Sequence, residues 1–434
     1  MLIRLLFQRA RFARLLLAAG FAVFPPPGLA QGDPAAAQAF SLAEARRLAC
    51  ERNWDLLAAR TGLDAATAQL LVSQEFPNPT FSYSTAKIGS QAGSTALGNG
   101  LWSRSYDTIF AINQLIEIGG KRQARKASAQ AGVIGAQARF HDARRLLDQG
   151  VTKAYVAAVL AGENARILTD SAEMLRHEAE IAQTRLQAGD ISEADEKQLE
   201  NNADVLALQA RSAATAAVQA RIAVEILLGV NQPRGLWIPT DSLAQMVGPI
   251  PPTNATNALR PDVLAAEADL KQSKADLQLQ KAMRIPDPTV SFLVEHNPPG
   301  GGPPEDTVGI GVSFPLPLWH RNRGEIQSAQ ATVDKNALML ARARAQMAAD
   351  VANAQAACTE ASERWQRYQN QILPKSQKVR ESVAFAYEKG GASLVNLLEA
   401  ERADNDARLA TAQAMSDTAS AIADLKAATE IMAK

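Results

Sequence analysis

Four histidines and two cysteines are the side chains of this 434-residue chain best suited to nucleophilic or metal chemistry. Nucleophilic catalysis needs a serine or cysteine within reach of a histidine that a third group orients. A zinc centre needs three or four Cys, His or carboxylate ligands at characteristic spacing. His141, His177, His296 and His320 are instead scattered over helical stretches, a loop and a joint. No Ser-His-Asp order, metal-spaced cluster or phosphate loop stands out. The sequence therefore predicts no catalytic residue, no cofactor and no metal centre, and the chain does not read as an enzyme. Cys50 and Cys358 lie in helical stretches with no second cysteine nearby. They either pair as a disulfide or stand as two small buried residues, and their spacing leaves both open.

The composition points to elongated helices. The chain is 47% hydrophobic but only 5% aromatic, with alanine throughout. Small side chains with few rings suit helices packed closely side by side better than one thick core. The first 30 residues read as a secretory signal peptide: Arg4, Arg9, Arg11 and Arg14, an apolar run from Leu15 to Phe24, Pro25-Pro26-Pro27, then the small residues Gly28 and Ala30. Its removal leaves 41 basic and 45 acidic residues, a mildly acidic surface without the basic stripe that nucleic acid requires. No other stretch has the 18 or so apolar residues of a membrane helix. If the chain enters a membrane, it does so as strands.

The most informative pattern is a repeat. Residues 77–84 read PNPTFSYS and residues 286–293 read PDPTVSFL. The first copy is preceded by a capping box, Ser41-Leu42-Ala43-Glu44, and a proline-free stretch to Glu75 that reads as one helix. Its counterpart runs from Pro261, suited to a first helical turn, to Ile285. After each Pro-x-Pro-Thr the pattern changes to period two, with Phe81 and Tyr83, Tyr106, Phe110 and Ile112, Val290, Phe292 and Val294, and Val308, Ile310, Val312 and Phe314 on one face. The intervening loops, 89–104 and 296–304, are rich in Gly, Ser and Pro. Strands are thus expected at about 79–88, 105–116, 288–296 and 306–315. A very long helix follows each pair, Lys121 to Ala188 and Arg321 to Lys389, the second with Pro374 inside; each would be roughly 100 Å long. Gly189 and Gly390 stop these helices, and Ser192 and Ser393 cap the returning ones.

The chain therefore divides into a signal peptide (1–30), an N-terminal extension (31–40), a first repeat (41–228, tip about 188–192), an irregular linker packed outside the helices (229–260) and a second repeat (261–434, tip about 389–393). Four strands cannot close in lipid, because open edges leave backbone groups unpaired. Transmembrane barrels need at least about eight strands, so several chains must share one. Three copies would supply twelve strands, with apolar side chains facing lipid and small polar ones facing a wet lumen.

With this duplicated order of elements, the chain resembles the TolC-like outer-membrane efflux proteins over essentially all of residues 41–433. Glu117-Ile118-Gly119-Gly120-Lys121-Arg122 after the second strand and Pro315 to Gly324 after the fourth resemble the CzcC-like heavy-metal-efflux branch. As joints, the same segments supply glycines for a bend, prolines to end pairing and basic residues near a membrane edge. The resemblance implies a mainly α fold with a transmembrane β part: a homotrimer with a twelve-stranded β-barrel continuous with a long α-helical barrel. It places the protein in the outer membrane of a Gram-negative bacterium, with a long periplasmic part. It implies a passive exit duct for heavy-metal cations such as cobalt, zinc or cadmium, joined through a periplasmic adaptor to an inner-membrane pump of the resistance-nodulation-division type.

The resemblance also assigns residues. Arg185, Leu186, Gly189, Ser192, Gly390, Ser393 and Leu394 match the tips that meet the adaptor. Asn396 and Glu399 match the acidic pair that rings the pore constriction, the first having lost its charge, and facing Glu399 side chains would favour cations. Asp195 and Tyr387 match a closed-state latch, whereas Ala194 and Ala392 replace a second hydrogen-bonding pair. The same duct serving drugs or secreted polypeptide is the alternative cargo. A soluble periplasmic coiled-coil adaptor is the alternative class, which the four alternating strands do not suit.

Overall fold

The computed structural model describes residues 39–86, 107–251, 260–297 and 305–430. The signal peptide, the extension up to residue 38, Tyr106, the loop at 89–104, most of the loop at 296–304 and residues 252–259 lie outside the described residues.

Local signals in the sequence set most helix ends. Ser41 caps α1 (Leu42–Arg52), and Glu44 reaches back to complete the box. Pro261 opens α6 (Pro261–Ala282). The stretch up to Glu75 is not one helix, however. Asn53 leaves the helical region with ψ 127° and starts α2 (Trp54–Gln74). Its Oδ1 accepts the Leu56 N–H at 3.0 Å, while its Nδ2 donates to the Leu227 carbonyl at 2.9 Å. The break thus joins this helix to the end of a distant one, which no local pattern announces.

After α2 come β2 (Thr80–Ala86) and β3 (Asp107–Leu115), then α3 (Lys121–Gln187) and α4 (Glu193–Leu227). At 67 residues, α3 is about 100 Å long. The linker contributes β4 (Ile238–Pro239), paired with β1 (Ala39–Phe40), and α5 (Leu243–Met246). It does more than pack outside: Trp237 is 3% exposed. Its ring stacks on Phe40 at 4.3 Å and lies 5.5 Å from Tyr155, whose hydroxyl donates to the Phe40 carbonyl at 2.9 Å. Val151, Val156, Val224, Leu228 and Leu243 complete this core with the alanines of α1 and the C-terminal helix. Gly229, with φ +74°, ends α4 against the α1–α2 break; a Cβ there would sit 2.3 Å from the Arg52 carbonyl oxygen.

The later elements are α6, β5 (Thr289–Asn297), β6 (Glu305–Ser313), α7 (Arg323–Arg367), a π-helical turn (Tyr368–Ile372), α8 (Leu373–Glu388) and α9 (Leu394–Thr429). The stretch from Arg321 to Lys389 is therefore interrupted. In a straight helix the Pro374 ring would clash with the carbonyl four residues earlier, at Asn370, and would leave it without a donor; the wider turn absorbs both. Both cysteines are free and Cys358 is buried, so they form no disulfide.

β2, β3, β5 and β6 make one antiparallel sheet in that order. The adjoining helices follow the same order, with α3 packed on α2 and α6, and α7 on α6. β2 and β6 are the sheet edges. Among the described residues no helix is long and apolar enough to cross a membrane.

Candidate functional site

The sheet sorts its side chains by face. In register, Phe81, Ile112, Phe292 and Ile310 form one row, and Tyr83, Phe110, Val294 and Val308 the next. This face is open, with Ile310 79% exposed, and only an apolar surround makes such a surface favourable. The opposite face carries the row Thr80, Asn113, Ser291 and Gly311. Ser291 Oγ donates to Asn113 Oδ1 at 2.7 Å, and Asn113 Nδ2 donates to Ser82 Oγ at 3.3 Å. Leu293 and Ile109 interrupt this polar face; Leu293 covers the space above Gly309, where a Cβ would meet it at 3.1 Å.

The strand-to-helix joint at residues 117–122 is a polar lock. Gly119 and Gly120 take φ +72° and +78° to turn the chain into α3. Lys121 then points back beneath the sheet, its side chain only 5% exposed, and pairs with Asp287 Oδ1 at 2.7 Å and the Ile285 carbonyl at 2.5 Å. Asp287 Oδ1 also accepts the Ile118 N–H at 2.9 Å. Glu117 and Arg125 form a bidentate pair at 2.6 and 2.9 Å, and the Arg125 guanidinium holds the Glu117 carboxyl below its ordinary pKa. The Asp of Pro-Asp-Pro-Thr thus ties the second repeat to the Gly-Gly-Lys of the first. The other joint is looser. Asn322, at φ 54°, bonds back to the Gln280 carbonyl at 2.7 Å, while Leu316, Leu318 and Trp319 stay exposed.

The two tips share one backbone design. At the first, the Gly189 N–H donates to Leu186 O and the Asp190 N–H to Arg185 O, both at 2.9 Å. At the second, Gly390 donates to Tyr387 O at 3.0 Å and Gly391 to Ala386 O at 2.7 Å. Both are Schellman stops with glycine in the left-handed region. Ser192 then accepts the Asp195 N–H at 3.1 Å, and Ser393 the Asn396 N–H at 3.3 Å.

The structure brings some of the assigned tip residues together and separates others. Gly189, Ser192, Gly390 and Ser393 are exposed, and Leu186 is half-buried. Leu394 is buried among Leu175, Leu199 and Leu397, so its side chain packs beneath the tips instead of lining their surface. Arg185 lies 5.6 Å from the Tyr387 ring centroid and links the two hairpins. Burial pushes the Tyr387 hydroxyl pKa up, Asp195 and Glu178 add to that, and Arg185 opposes it. No hydrogen bond joins Tyr387 to Asp195 within the chain; Asp195 Oδ2 accepts from Ser192 Oγ at 2.9 Å instead. Asn396 and Glu399 are exposed on α9.

Behind that exposed face is a charge cluster that the sequence reading missed. Arg380 of α8 lies 3.4 Å from Glu401 and 3.5 Å from Asp404, and Arg408 bonds Asp404 at 2.8 Å. Asp404 is 3% exposed. Burial raises the Glu401 pKa, with Arg380 counteracting it. The signal was available: position 380 falls eleven residues before Gly391, and positions 401 to 404 fall ten to thirteen after it, where an antiparallel hairpin brings them together. Among the described residues no group of three or more His, Cys, Asp or Glu side chains could hold a metal ion.

Known proteins agree with this geometry. A family model described as outer membrane efflux protein matches residues 45–230 and 254–429. The cobalt-zinc-cadmium resistance protein CzcC of Cupriavidus metallidurans is 26% identical over 378 residues, covering 86% of each chain. The nickel and cobalt resistance protein CnrC of the same organism is 28% identical over 274 residues, 63% of each chain. Among solved structures, the Campylobacter jejuni CmeC outer membrane channel superposes with a TM-score of 0.70 at 19% identity, over 89% of this chain and 85% of that one.

Proposed function

This chain belongs to the outer membrane efflux protein family, and from that premise we propose that it is the exit duct of a tripartite pump for heavy-metal cations. The observation that carries the cargo is the match to CzcC along 86% of both chains. What supports the duct is the sheet: one apolar face, one polar face and two unpaired edges, β2 and β6. In lipid both edges must find partners. Four strands per copy is an even number, so joining β6 of one copy to β2 of the next keeps the ring antiparallel. Three copies reach the strand count of a transmembrane barrel, and the helices, ordered as the strands are, continue it as an α-helical tube. The two halves of the chain, 41–228 and 261–434, supply equivalent parts of that wall on either side of the linker.

The tips are the docking surface for a periplasmic adaptor, through Arg185, Leu186, Gly189, Ser192, Gly390 and Ser393, with Leu394 holding the surface from below. The adaptor links the duct to an inner-membrane pump, which supplies the energy. Asp195 and Tyr387 act as the latch, with Arg185 over the Tyr387 ring, and Asn396 and Glu399 face the constriction. Glu399→Gln is expected to lower cation over anion permeability several-fold in single-channel recordings; unchanged selectivity would remove this residue from the pore.

Fractionation and particle mass test the duct. Three chains per particle, extracted from the outer membrane in mild detergent, is the expected result, and a soluble monomer would end the reading. Gene deletion tests the cargo. Sensitivity to cobalt, zinc or cadmium should rise without sensitivity to dyes and detergents, and the reverse profile would reassign the cargo to small organic molecules.

A further inference from the structure

We infer that the joint after β6, residues 314–323, is a hook that seats on the C-terminal end of α2 in a second copy of this chain. The inference rests on the ring reading above and deepens it by naming the contact. The joint and the end of α2 lie at the same level, on opposite flanks of the sheet. β2 begins at Thr80, just after α2, and β6 ends at Ser313, just before the joint. When β6 pairs antiparallel with β2 of the next copy, the end of β6 therefore lies beside the start of that β2.

The two surfaces match in chemistry. The joint exposes Phe314, Leu316, Leu318 and Trp319, the tryptophan at 92%. The end of α2 exposes Leu71 and Val72, and Phe76 is exposed just beyond it. Among the described residues nothing covers either set, although Phe76 carries the Arg122 guanidinium on one face at 3.9 Å. The charges are opposite: Arg321 and Arg323 are exposed on the joint and Glu75 just after α2, and none of the three forms an ion pair among the described residues. Asn322, anchored to Gln280, fixes the direction in which the hook projects. Burying such an apolar cluster with a paired rim is how specific interfaces are built. Because hook and seat are different surfaces of one chain, the contact is head-to-tail and suits a ring.

The test is site-directed cross-linking in membranes. A chain with Val72→Cys and Leu318→Cys, in a Cys50→Ala/Cys358→Ala background, is treated with a short bifunctional maleimide. Covalent dimers and trimers are expected on a denaturing gel, and neither single cysteine variant should give them. Glu75→Arg should reduce cross-linking several-fold, and adding Arg321→Glu and Arg323→Glu should restore it. The particle mass of each variant, measured in mild detergent, separates the possible failures. Three-copy particles without cross-links would overturn the hook and leave the ring intact, with the joint facing lipid. Single-copy particles would overturn both.

Discussion

Lys121→Met is expected to destabilise the folded chain by about 3–5 kcal/mol, the usual result of stripping one partner from a buried ion pair. Lys121 sits in the first turn of α3, where the helix dipole disfavours a cation. It is tolerated there because Asp287 and the Ile285 carbonyl surround it. Methionine keeps the volume but leaves a carboxylate beneath the sheet with one remaining donor, the Ile118 N–H. The midpoint of urea unfolding in detergent, followed by tryptophan fluorescence, reads the effect. Adding Asp287→Leu should recover only part of the loss, because it removes the stranded charge but also leaves the Ile118 N–H without an acceptor. A loss below about 1 kcal/mol would mean the pair behaves as a solvated surface contact.

Gly229→Ala is expected to cost more than the same change at either tip. Gly229, Gly189 and Gly390 have nearly equal φ values of +74°, +81° and +76°. Left-handed backbone costs a non-glycine residue roughly 1–2 kcal/mol at any of them. The surroundings differ. A Cβ at Gly189 or Gly390 meets nothing within 4 Å, whereas at Gly229 it would lie 2.3 Å from the Arg52 carbonyl oxygen. The α1–α2 break would have to move, loosening the Asn53 bond to Leu227 and the packing around Trp237. Unfolding midpoints of the three variants should show Gly229→Ala well below the other two. Equal losses would show that the close approach can relax.

Features that act within a few residues could be read from the sequence. Ser41 with Glu44, Pro261, Gly189 with Ser192 and Gly390 with Ser393 each set a helix end through their own backbone preferences, and the structure uses all of them. Alternation along the strands likewise fixed which side chains share a face. What stayed hidden depends on partners far along the chain. Asn53 breaks a helix because its side chain reaches Leu227. Asp287, the variable position of its Pro-x-Pro-Thr, owes its role to Lys121 and Ile118 of the first repeat. The resemblance matched Leu394 to the tip surface, yet its side chain packs inward against Leu175, Leu199 and Leu397. The π-turn before Pro374 had a local cause, since proline in a helix interior forces some response, but the sequence did not say which.

The open sheet also bears on how copies find one another. A head-to-tail contact has no built-in count: an edge that would close the proposed ring of three would, at a slightly different angle, go on adding copies into an open spiral. Curvature alone chooses between the two. Gly309 and Gly311 lie on the polar face of β6, where the absence of side chains would let the strand bend towards its neighbour, and Leu293 already crowds the space above Gly309. Bulk added there would flatten the sheet. The damage would then show in how many copies assemble, and filaments in place of closed particles would be its signature.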